Sequence, residues 1–174
     1  MTTNKYKNKY RIASARASWW DYGWNGAYFI TICTRNREHF FGAIKNGQME
    51  LSHLGVIADT LWHEIPNRSK FVQLGDFVVM PDHIHGILIL DQNAVPVQQQ
   101  PPPEKNERMS LISPKSGSVS AILRSYKSAV TRHANRLGLK NGWQPRFHDH
   151  IIRNDAEYQR ISDYITHNVA NWKS

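Results

Sequence analysis

"MPDHIHGILIL", residues 80–90, decides how this chain is read. Its second half is β-branched and apolar, the mark of a buried strand. Its head carries two imidazoles, His83 and His85, separated by one isoleucine. Side chains alternate along a strand, so both histidines point to one face with Cα atoms about 7 Å apart. Ile84, Gly86, Leu88 and Leu90 then take the other face, while Ile87 and Ile89 carry the histidine face deeper under a covering layer. Two imidazoles so placed suit a shared metal ion or a hydrogen-bonded pair at a strand end.

Working outward, "KFVQLGDFVVMPDHIHGILIL" holds two strands that meet around Pro81-Asp82. "YFITICT", residues 28–34, is another strand. "KNG", residues 45–47, joins two short runs as a hairpin. "SHLGVIADTLWHEI" predicts a helix capped by Ser52, with Val56, Ile57, Leu61 and Ile65 as its apolar face and Pro66 as its end. "GSVSAILRSYKSAVTRHANRL" predicts an amphipathic helix on Val119, Ile122, Tyr126, Val130 and Leu137. "WQPRFHDHIIR" reads as extended. The last helix, in "NDAEYQRISDYITHNVANW", has Asn154 as cap and Glu157 three residues later. This order predicts an α+β fold, antiparallel strands with helices packed on one face.

The chain has 174 residues, which suits one domain with a sizeable core. Residues 1–26 form a basic, aromatic N-terminal segment. Residues 27–174 form the domain, interrupted at 91–117 by a Gln- and Pro-rich stretch without periodicity, read as a flexible insert. Twenty-two Lys and Arg against 14 Asp and Glu give a net charge of +8, which points to a polyanion such as nucleic acid. A lone cysteine, Cys33, excludes an internal disulfide and fits a reducing compartment. No apolar run reaches the ~20 residues of a membrane span, and the basic N-terminus lacks a signal peptide's apolar stretch. The expectation is a soluble, cytoplasmic protein.

Two neutral imidazoles do not complete a metal shell, so a third ligand is needed. The last helix offers a row of Glu157, Tyr164 and Asn168 beside its apolar stripe of Ile161, Ile165 and Trp172. Docked by that stripe, the helix can hold Asn168 beside a metal with the Tyr164 hydroxyl nearby. A plain alternative makes Tyr164 an amphipathic residue at the core margin.

The chain also resembles a known family. "YFITICT", "FFG", "VVMPDHIHGILIL", "GS" before "SYKSAVTR", "HIIRN" and the closing "YITHNVANW" follow the order seen in single-tyrosine HUH transposases, closest to the REP-associated tyrosine transposases. The likeness spans most of the chain apart from the N-terminus and the insert. The family often has Asn-Pro where this chain reads Asn168-Val169. The resemblance implies a ferredoxin-like fold and metal-dependent nicking and joining of single-stranded DNA near hairpins, through a 5′-phosphotyrosine. Tyr164 is then the nucleophile, and His83, His85 and Asn168 hold Mg²⁺ or Mn²⁺. Both ions suit phosphate chemistry, and two nitrogen ligands favour Mn²⁺.

Lys5, Lys7, Lys9, Arg11 and Arg16 combine phosphate charge with the stacking surface of Tyr6, Tyr10, Trp19 and Trp20. Arg35, Arg37, Arg124, Lys127 and Arg132 are further phosphate candidates. Three readings compete. A catalytically silent DNA- or RNA-binding protein of the same fold needs no intact site. A hydrolase using activated water makes Tyr164 dispensable. An RNA-binding module needs aromatics on an open sheet face. Tyr126 is a rival nucleophile, but its place on an apolar helix face reads as core. The number of subunits, monomer or homodimer, is left open by the sequence.

Overall fold

The computed structural model describes residue 21, residues 23–94 and residues 114–172. The elements follow in the order β1 (Gly26–Cys33), β2 (Gly42–Lys45), β3 (Gln48–Leu51), α1 (His53–His63), α2 (Ile65–Arg68), β4 (Val72–Val79), β5 (His83–Leu90), α3 (Val119–Arg136), β6 (His148–Ile152) and α4 (Asp155–Thr166). Four strands make one antiparallel sheet in the order β4-β5-β1-β6. β2 and β3 form a separate hairpin whose turn residues, Asn46 and Gly47, have φ of 51° and 73°. A two-residue hairpin turn of that hand needs both left-handed conformations.

Strand alternation divides the interior into two layers. On one face Tyr28, Ile30 and Ile32 of β1 and Ile84, Leu88 and Leu90 of β5 pack against α1 and α3. On the other, Ile87 packs against Ile161 and Ile165 of α4. The antiparallel α+β architecture is the expected one, but the helices do not all share one face. Among the described residues, α1 and α3 cover the first and α4 covers the histidine side. An amphipathic stripe says that a helix docks, not on which side of the sheet.

The expected caps Ser52 and Asn154 start their helices, and Ser118 caps α3 in the same way. The Ser52 side chain accepts from the Gly55 amide at 3.0 Å, Ser118 from Ala121 at 3.3 Å and Asn154 from Glu157 at 2.9 Å. Two helix faces need correction. The buried side of α1 is Leu54, Ala58 and Trp62, whereas Val56 is 50% exposed. Pro66 sits in the first turn of α2, after a bend at Glu64. Leu137 follows the end of α3 and is 62% exposed, so Ala134 closes that stripe instead.

Gly86 explains how β5 carries a site on one side and a core on the other. A Cβ there would lie 2.4 Å from the Trp62 ring, so the indole rests directly on the strand backbone. On β4 the pairing register slips between Leu74 and Phe77, leaving a bulge at Gly75 and Asp76. α4 sits on this bulge. The Tyr158 hydroxyl occupies the space beside Gly75, and Ser162 donates to Asp76 Oδ2 at 2.6 Å.

The ends of the 91–117 stretch tie back to the segment before β1. Lys115 pairs with Asp21 at 2.6 Å, and the Gln92 side chain donates to the Gly23 carbonyl at 2.7 Å. Residues 95–113 lie outside the described residues. Among those described, no helix is long and apolar enough to cross a membrane.

Candidate active site around His83, His85 and Tyr164

His83 and His85 do face the same way. Their ring centroids are 4.5 Å apart, with planes crossing at 70°. Both residues are buried, at 5% and 6% exposure. A fixed partner holds each ring at Nδ1. His83 Nδ1 donates to Asp82 Oδ1 at 2.6 Å, and Arg37 Nε donates to Asp82 Oδ2 at 2.9 Å. The Asp82 backbone is pinned in turn by Thr34, whose amide and hydroxyl both donate to the Asp82 carbonyl, at 2.9 and 3.0 Å. His85 Nδ1 lies 2.8 Å from Thr31 Oγ1. With Nδ1–H given to these oxygens, the Nε2 atom of each ring is left as an electron-pair donor.

Burial also keeps the rings neutral. It lowers the His83 imidazole, although the Asp82 hydrogen bond pulls the other way. It pushes His85 down to about 3, reinforced by His83 and Arg37. Neutral imidazole is the form that donates an electron pair to a metal.

Tyr164 comes from the last turns of α4. Its hydroxyl makes a long hydrogen bond of 3.4 Å to His85 Nε2. Phe29 stacks on His85 with centroids 5.3 Å apart and meets the Tyr164 ring edge-on at 6.1 Å. Tyr164 remains 52% exposed, so its oxygen is accessible from outside.

α4 ends at Thr166, so Asn168 is not on the helical row beside Tyr164, as the spacing implied. It lies in the following turn, where its amide donates to the Ile165 carbonyl at 3.2 Å. The residue is nonetheless only 9% exposed. It stands in the chain between Tyr164, which touches His85, and Trp172, whose ring is 5.7 Å from that of His83. Among the described residues, no three His, Cys, Asp or Glu side chains gather as a metal cluster. A metal on this histidine pair would need a neutral oxygen as its third protein donor, and a buried amide fits that need. Glu157, the third member of the expected row, is occupied elsewhere: it accepts from the Arg153 amide at 2.8 Å and pairs with His150 at 2.8 Å.

Tyr126 is buried, donates to the Ala58 carbonyl at 2.8 Å, and has its phenol pushed well up by burial. It belongs to the core. Of the basic candidates among the described residues, Arg37 is the one brought to the histidines, through Asp82. Arg35 is exposed beside Gly142. Arg124 and Arg132 are exposed on α3, the helix on the far side of the sheet. Lys127 departs from its expected role as a free phosphate ligand. It is half-buried and donates to the Gln144 and Arg146 carbonyls at 2.9 and 3.2 Å. Lys5, Lys7, Lys9, Arg11 and Arg16 lie outside the described residues, as do Tyr6, Tyr10, Trp19 and Trp20. Sequence reasoning missed Asp82, Thr31 and Phe29. Asp82 alone had a local signal, as the residue next to His83.

The antiparallel sheet β4-β5-β1-β6, with α4 docked on its histidine face, is a fold shared with transposases of known structure. A solved REP-associated tyrosine transposase bound to a REP hairpin superposes with a TM-score of 0.58 at 22% identity, covering 92% of this chain and 80% of that one. That likeness shows the fold. No family model matches the chain. An uncharacterized protein of Haemophilus influenzae is 34% identical over 181 residues, covering 99% of this chain and 96% of that protein. A REP-associated tyrosine transposase of Escherichia coli is 29% identical over 140 residues, covering 80% of this chain and 64% of that protein. The chain therefore belongs to one family with the Haemophilus protein, and it is similar in sequence and in fold to REP-associated tyrosine transposases.

Proposed function

We propose that the protein cuts and rejoins single-stranded DNA beside a hairpin, through a covalent bond between Tyr164 and a 5′-phosphate. The observation that carries this is the Tyr164 hydroxyl, half-exposed and 3.4 Å from His85 Nε2. Both belong to one aromatic cluster beside a neutral imidazole pair.

His83, His85 and Asn168 would hold the Mg²⁺ or Mn²⁺. Such an ion, when bound, offsets the charge that grows on the phosphate oxygens during transfer. Asp82 and Thr31 keep the imidazoles oriented, so their Nε2 atoms need no reorganisation. Tyr164 supplies the attacking oxygen. Its bond to phosphorus forms as the bond from phosphorus to the 3′ oxygen breaks. The phenol proton passes to solvent, and the leaving 3′ oxygen takes one up. Attack by a 3′-hydroxyl on the phosphotyrosine reverses the step, so joining needs no external energy source.

The test is a denaturing gel of the protein incubated with end-labelled single-stranded hairpin DNA and Mn²⁺. A labelled band at the mass of protein plus DNA fragment is expected. Cleavage with no such band would favour the water-activating hydrolase. Binding of hairpin DNA without any cleavage would favour the silent binding protein.

A further inference from the structure

Beside the His85–Tyr164 pair the sheet opens into a groove of about 380 Å³ between β1, β6 and α4. Phe29 and Thr31 of β1, His148 and His150 of β6, and Arg160 and Tyr164 of α4 line it. The strand register explains why they converge. Phe29 pairs with His150, and Thr31 with His148, so these four side chains share the face that carries His85. The volume lies near the lower end for small-molecule pockets, enough for one nucleotide and too little for a duplex.

We propose that this groove is a base-binding subsite, which takes one unpaired nucleobase next to the phosphodiester that Tyr164 addresses. The inference rests on the nuclease reading above and adds the specificity that reading lacks. Three features support it. Phe29 and Tyr164 present an apolar aromatic lining that suits the flat face of a base. His148 and His150 are exposed and polar, able to meet a base edge. His150 already gives Nε2 to Glu157 at 2.8 Å, which fixes its ring and leaves Nδ1 as the other polar atom. Arg160 also lines the groove; its side chain is 76% exposed and lies 3.5 Å from Glu157 Oε1, and its remaining guanidinium donors suit the phosphate joined to that nucleotide. Phe29 also stacks on His85, so the groove floor and the candidate site share a residue. A base seated here would fix which phosphate reaches the Tyr164 oxygen.

The test is an NMR titration of the full chain, without added metal, following the imidazole signals of His148 and His150. The ligands are dAMP, dCMP, dGMP, TMP, base-free deoxyribose 5-phosphate and inorganic phosphate. At least one mononucleotide should shift these signals and bind about five-fold or more tighter than the base-free sugar phosphate, the low end of what base stacking contributes. His148→Ala should shrink that difference. Arg160→Ala should weaken every phosphate-bearing ligand alike. Equal binding of all six ligands, or no shift at millimolar concentrations, overturns the subsite. The titration needs no cleavage. Base-selective binding by a protein that forms no covalent adduct would keep the subsite and remove the nuclease reading. An adduct formed by a protein with a base-blind groove would do the reverse.

Discussion

The Tyr164 hydroxyl and His85 Nε2 stand 3.4 Å apart although 79 positions separate the two residues in the chain. The sheet fixes one partner and the last helix brings the other. Tyr164→Phe removes only the oxygen. It should abolish the covalent band while leaving hairpin DNA affinity within a few-fold, because the ring still packs on Phe29. Adduct formation that survives in Tyr164→Phe would show that another group attacks.

His83→Ala and His85→Ala should each remove Mn²⁺ binding, measured by calorimetry, and stop cleavage. Asn168→Ala should weaken both less, since a neutral amide oxygen is the weaker ligand. EDTA should silence the native protein, and Mn²⁺ or Mg²⁺ should restore it. Undiminished cleavage in EDTA would end the metal assignment.

Asp82→Asn keeps the shape of the side chain and removes its charge. The His83 ring then loses its charged anchor, and Arg37 its ion pair. Metal affinity should fall roughly ten- to a hundred-fold, with little change in secondary structure by circular dichroism. An unaltered Mn²⁺ affinity would mean that Asp82 does not position His83.

Burial holds the His85 imidazole near 3 in the folded chain, while the unfolded chain protonates it near the ordinary value of 6.5. Between those values the unfolded state binds the extra proton, so acid favours unfolding. Stability of the metal-free protein should be flat above about pH 6.5 on this account. It should then fall by up to about 1.4 kcal/mol per pH unit as the pH drops toward 3. Urea melts from pH 7 to 4 measure the slope. His85→Gln should flatten it, and an equal slope in that variant would assign the acid sensitivity elsewhere.

Gly86→Ala places a methyl 2.4 Å from the Trp62 ring, on the face away from the histidines. Overpacking of this kind costs about 1–3 kcal/mol. For a chain of this size that lowers Tm by several degrees. An unchanged melting curve would show that Trp62 can move off the strand.

The sequence carried much of this because the deciding signals were local. Ser52 and Asn154 cap their helices through amides three residues ahead, and the parity of His83 and His85 follows from strand geometry alone. What depended on distant chain was harder. Thr31 and Phe29 become neighbours of His85 only when β1 pairs with β5. α1 has apolar residues on several sides, so its phase was set by Trp62 meeting Gly86 rather than by periodicity. Lys127 reads as a free cation in sequence, but the carbonyls that hold it arrive from beyond α3.

The bulge at Gly75 and Asp76 makes the site a matter of rotational phase. Ser162 hydrogen-bonds to Asp76, Tyr158 fits beside Gly75, and Ile161 and Ile165 bear on Ile87. These contacts fix the angle at which α4 sits about its own axis. Each helical residue turns through about 100°. One residue added or lost between Ser162 and Tyr164 would swing the phenol a quarter-turn or more from His85, with every side chain of the site still present. The spacing of two residues from anchor to tyrosine is therefore as much a part of the site as the tyrosine itself.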